Sequence, residues 1–81
     1  MDKHYVVFKC GAGGRAPIAW FDASGIDEAN DNLHWLKTKH ASEKRFHLDS
    51  GEFFEILEKT QMDAAEWEAA IAALRPHEGK A

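Results

Sequence analysis

Residues 4–21 read HYVVFKC–GAGGRA–PIAWF, two runs of β-forming residues separated by a glycine-rich hexapeptide. Tyr, Val, Phe, Ile and Trp suit a pleated, half-buried surface. Glycines at 11, 13 and 14 let the chain reverse between the runs. The segment is expected to form an antiparallel hairpin with a rather long loop. Pro17 belongs at the start of the second strand or on an edge, because it has no N–H for the ladder.

The same stretch contains Gly11-x-Gly13-x-x-Ala16, a loose match to a dinucleotide-binding fingerprint. That chemistry needs a helix opening directly after the glycines, so that its N-terminal N–H groups hold the pyrophosphate. Here Pro17 and a strand-like run follow instead, and no Gly-Lys-Ser/Thr completes the other common phosphate loop. The loop reads as a turn with Arg15 at its tip.

Beyond the hairpin, Ser24 is placed to cap a helix whose first turn carries Asp27 and Glu28. Ile26, Ala29, Leu33 and Leu36 recur at three- and four-residue steps, predicting a helix from 26 to about 40. Residues 44–59 hold two strand-like runs, 44–49 and 52–59, around the turn-forming Asp49-Ser50-Gly51-Glu52, which predicts a second hairpin. The alanine-rich MDAAEWEAAIAALR is a strong helix former, capped by Thr60 or Asp63, with Trp67, Ala70, Ile71 and Leu74 on one face. Pro76 is expected to end it, leaving 75–81 as a frayed tail. The expectation is one α+β domain spanning 1–81, in the order ββαββα, with an antiparallel sheet of two hairpins and both helices packed on one face.

Charge and composition narrow the chemistry. Ten Lys and Arg against fourteen Asp and Glu give a net charge of −4, interspersed rather than in blocks. A nucleic-acid binder concentrates positive charge instead, so nucleic acid is not the expected partner. Its route would be an open sheet face, with Tyr5, Trp20, Phe21 or Phe54 stacking on single-stranded bases beside Lys3, Lys9, Arg15, Lys44 and Arg45. No apolar run is long enough to span a membrane, and with a single cysteine the expected setting is the cytoplasm, without a disulfide framework.

Catalysis and metal binding find little support. His34 and His40 lie six apart, on different sides of their helix; His4 and His47 fall on separate runs, and His77 lies in the tail. Cys10 with a histidine is the one nucleophilic pair to consider, but it has no motif around it. The expectation is therefore a chain that is not an enzyme, with no cofactor and no metal site.

Side-chain parity raises a different possibility. In the second hairpin Phe46, Leu48, Phe53 and Leu57 share one face with Glu55. Arg45, His47, Asp49, Glu52, Phe54 and Ile56 share the other. If helices cover the first set, Phe54 and Ile56 are left facing away. Val6, Phe8 and Cys10 likewise alternate with Tyr5, Val7 and Lys9, so neither face of the first strand is polar. Strong curling of the sheet would bury parts of both faces; otherwise the second face is an interface. Counting 100° per residue also puts Trp35 opposite the apolar stripe of its helix, among Glu28, Asp31, Asn32, Thr38 and Lys39. These features predict an acidic module that inhibits or regulates another protein by docking on it, and that forms a homodimer. The expected contact residues are Trp35, Phe54, Ile56, Glu28, Asp31, Glu52 and Glu55, with the carboxylates steering toward a basic partner surface.

Overall fold

The first hairpin forms as its residues dictate. A computed structural model of the chain describes residues 2–74, with β1 over Lys3–Gly11 and β2 over Gly14–Ala23. The turn is tighter than the sequence suggests. Gly11 pairs with Gly14, so Arg15 and Ala16 belong to β2 and not to a loop tip. Gly14 has φ +114, a value that L side chains avoid.

β2 carries one residue more than β1 requires. Val7 pairs with Ala19 and Phe8 with Pro17, leaving Ile18 as a β-bulge. The bulge sends both Ile18 and Ala19 into the same core cluster. Pro17 sits beside the bulge on an edge strand, where its missing N–H costs the sheet little.

Helix α1 runs Ile26–Lys39, close to the predicted span. Its N-cap is Gly25 rather than Ser24, and no side chain caps it. Glu28 reaches back instead, its Oε1 accepting the Ser24 N–H at 2.5 Å. A 3₁₀ turn at Lys44–Phe46 then leads into the turn at 49–52, β3 at Phe53–Glu58, a second 3₁₀ turn at Lys59–Gln61, and helix α2 at Ala64–Leu74. Gly51 supplies the φ of +86 that this second turn needs.

The second predicted hairpin does not form. The sheet is three-stranded and antiparallel in the order β2-β1-β3, and β3 pairs with β1 from Cys10↔Phe53 to Tyr5↔Glu58. Residues 44–49 make no strand. Phe46 alone is driven into the core (7% exposed), while Leu48, the next apolar residue in the apparent alternation, stays 44% exposed. Arg45 anchors the 3₁₀ turn by donating from Nη1 to the carbonyl of the bulged Ile18 at 2.8 Å, and Lys9 Nζ donates to the carbonyls of Lys44 and His47. The order is therefore ββαβα, an α+β fold.

The helices do not share a face either. Tyr5, Val7, Ile18, Ala19, Phe21 and Ala23 pack with Ala29, Leu33 and Leu36 of α1 and with Phe46. Val6, Phe8 and Cys10 pack with Trp67, Ala70 and Leu74 of α2, with Trp20, Leu57, Met62 and Ile71 around them. Because alternate residues of β1 point to opposite faces, the two helices lie on opposite sides of the sheet. Alternation in β1 that could have marked an interface instead reflects two cores. Val6 and Val7 are both fully buried, each by a different helix layer, and each gains about 1.5–3 kcal/mol from burial.

Both helices pack chiefly against β2. β3 is covered less: none of its six residues is fully buried, although it reads FFEILE. Pro76, His77 and the 75–81 tail lie outside the described residues.

Candidate protein-binding surface

On the outer side of α1 a large apolar group meets solvent. Ala29, Leu33 and Leu36 form the helix's buried stripe, so Trp35 projects from it at an angle and remains 46% exposed. In the connection after α1 the Arg45 guanidinium lies 4.7 Å from the centroid of Phe46, and His40 stacks on the same ring. What accompanies Trp35 is Lys39, one turn along, with Nζ 4.6 Å from the indole centroid. Glu28 and Asp31 are exposed on the turns before it. The Ser24 N–H bond holds the Glu28 carboxyl below the usual carboxylate range, so it is charged at neutral pH. Ile26 is also 51% exposed at the helix start, but on the side of α1 opposite Trp35. The helix is tied to the sheet on this side by Asn32, which donates to the Asp22 carbonyl at 3.3 Å.

The other four predicted contact residues lie elsewhere. Phe54 and Ile56 are half-buried against the α1-side core, and Lys37 Nζ stands 5.4 Å from the Phe54 centroid. Glu55 is on the opposite face, where Arg15 Nη1 donates to it at 3.0 Å. Glu52 closes the turn before β3 by accepting the Asp49 N–H at 2.8 Å, with Lys9 Nζ 3.9 Å away. Trp35, Glu28 and Asp31 thus share one helix surface, and the four residues at and before β3 divide between the turn and two faces of the sheet. Three exposed apolar groups were not among those expected: Leu48, the 56% exposed Phe53, and Ile26, which the helical period places on the buried stripe of α1. The parity of β3 places Phe53 with Leu57 correctly; what leaves it open is the offset of α2 toward β2, for which the sequence has no signal.

The chemistries set aside on sequence grounds can be placed too. Cys10 is buried, and its Sγ lies 3.9 Å from Glu55 rather than beside a histidine. Burial, helped by the Glu55 charge and opposed by Arg15, pushes its thiol above the usual range, away from the reactive thiolate. Among the described residues, no three His, Cys, Asp or Glu side chains gather as a metal would require. The glycine turn lines an open depression of about 320 Å³ with Lys9, Arg15 and Glu52. Its cations are already engaged, Lys9 by two carbonyls and Arg15 by Glu55 and Glu66. A second depression of about 260 Å³ lies between Phe8, Pro17 and the alanines of α2, with the Arg15–Glu66 pair at its wall. As for bases stacking on the sheet, Tyr5 and Phe21 are 3% and 2% exposed and Trp20 and Phe54 are half-buried, so both faces of the sheet are occupied by the protein's own layers. No helix among the described residues is long and apolar enough to cross a membrane.

Comparison with known proteins adds no relative: no family model, no curated protein and no solved structure matches the chain.

Proposed function

We propose that the chain is a non-catalytic interaction module that inhibits or regulates another protein by docking the outer side of α1 onto it. The observation that carries this reading is the 46% exposed indole of Trp35 on a helix whose core stripe is already satisfied by Ala29, Leu33 and Leu36. The ring contributes little to its own core, and a large amphipathic aromatic is the usual anchor of an interface. Glu28 and Asp31 beside it favour a partner whose indole-sized pocket is rimmed by Lys or Arg. Lys39, lying on the ring, would make way for such a pocket or pair with an acidic group at its edge.

The test compares immobilised wild-type chain with Trp35→Ala and with Glu28→Lys/Asp31→Lys on protein from the native host, followed by titration of whatever the wild type retains. Both variants are expected to weaken the retained protein by about tenfold or more. Equal affinity for wild type and Trp35→Ala would remove the proposal.

A further inference from the structure

A depression of about 170 Å³ opens on the α2 side of the sheet, lined by His4 of β1, Trp20 of β2, Trp67 and Ile71 of α2, and Lys59 in the 3₁₀ turn after β3. Its walls are largely apolar and flat. Trp20 and Ile71 are half-buried around the α2-side core, and Trp67 belongs to that core. The His4 ring stands 6.3 Å from that of Trp67 and is held by the 2.5 Å contact of Nδ1 with Asp22 Oδ1. An apolar cavity of about 150 Å³ takes up one benzene ring, so this depression suits a single ring.

Charge selects what that ring carries. Lys59 Nζ lies 5.7 Å from the centroid of Trp67 and has no carboxylate within ion-pair distance among the described residues. Its neighbour Glu58 is committed elsewhere, accepting from the Gln61 N–H and the Thr60 hydroxyl, and Asp22 is engaged by His4. An ammonium group on an aromatic face keeps N–H donors for an anion beside it. The two depressions described above differ in this respect, because Lys9 and Arg15 are already bound by carbonyls or carboxylates.

We propose that this depression binds a small aromatic carboxylate, its ring against the indoles of Trp20 and Trp67 and its carboxylate on Lys59 Nζ. Indole walls favour a planar ring, through offset or edge-to-face contact. The carboxylate stays at the exposed Lys59, where water completes its hydrogen bonds. The site lies on the far side of the sheet from α1, so it stands or falls separately from the Trp35 surface.

Benzoate at neutral pH is the probe, benzamide its uncharged counterpart, and the assigned indole N–H resonances of Trp20, Trp35 and Trp67 are the readout. Benzoate is expected to move the Trp20 and Trp67 signals saturably with a Kd of about 1 mM, in keeping with a ligand of so few atoms, and to leave Trp35 in place. Benzamide is expected to bind about fivefold more weakly, as the loss of one solvated ion pair implies. Lys59→Met, confirmed folded by circular dichroism, is expected to bind benzoate about fivefold more weakly and benzamide as the wild type does. Absence of saturable movement at Trp20 and Trp67 overturns the proposal. So does equal movement at Trp35, equal affinity for the two probes, or undiminished benzoate binding by Lys59→Met.

Discussion

Arg15 Nη2 donates to Glu66 Oε2 at 2.6 Å, joining the first turn of β2 to α2 across the sheet face. The other arm of the fork reaches Glu55 at 3.0 Å, and the guanidinium lies 4.4 Å from the centroid of Phe8. One side chain therefore links β2, β3, α2 and the core beneath them. All three charged groups are a third or more exposed, so solvent screens the pairs. Arg15→Met is expected to lower stability by about 1 kcal/mol, and Glu66→Gln by less. In urea unfolding the double variant should lose less than the sum of the two, because both changes break the same bridge. Strict additivity would mean that the bridge contributes nothing.

The two exposed and buried tryptophans make opposite demands. Trp35→Ala should change stability by no more than about 0.5 kcal/mol, as expected for a surface position. Trp67, 7% exposed in the α2-side core, should cost about 3–5 kcal/mol when truncated to alanine. Thermal unfolding followed by far-ultraviolet circular dichroism separates them. Similar losses at both sites would show that the Trp35 ring supports the fold.

Cys10 should behave as a packing residue. Burial and the neighbouring Glu55 charge raise its thiol, so alkylation of the folded chain at neutral pH should run at least about tenfold slower than that of a free thiol. Full reactivity should return in denaturant. Rapid labelling of native protein would contradict the structure around β1.

Acid should weaken the fold in part through Glu28 and Glu43. The Ser24 N–H holds Glu28 low; partial burial pushes Glu43 up, but Arg45 and His40 outweigh it and leave it low as well. A carboxyl whose folded pKa lies below its unfolded one binds more protons in the unfolded state through that interval, so stability rises with pH there. The contribution is complete above the ordinary carboxylate range near 4.5 and disappears as pH falls through the lowered values. Urea midpoints across an acid series should therefore drop below that range, and Glu28→Gln should flatten part of the drop. An unchanged profile for Glu28→Gln would show that the Ser24 contact does not hold in solution.

Much of this architecture is legible in the residues. The first hairpin, both helices, the strand at 53–58 and the exposure of Trp35 follow from β-propensity, period and turn chemistry. The run RFHLD misleads because its alternation is real but only Phe46 finds a core, while Arg45 and Lys9 hold its backbone in a 3₁₀ turn. Apolar residues on both faces of β1 signal a strand sandwiched between layers, a meaning that parity alone cannot separate from an interface. The bulge at Ile18 and the offset of the helices toward β2 depend on contacts between distant segments, and no local pattern encodes them.

The strand written first in the chain occupies the middle of the sheet, and one of its neighbours arrives from the far half of the sequence. As the polypeptide emerges during translation, the hairpin and α1 can associate early, since their contacts are local. Val6, Phe8 and Cys10 must wait, uncovered, for a strand and a helix not yet made. Folding of this small domain is thus completed by its C-terminal half, and that interval is when a nascent copy is most prone to aggregate with another.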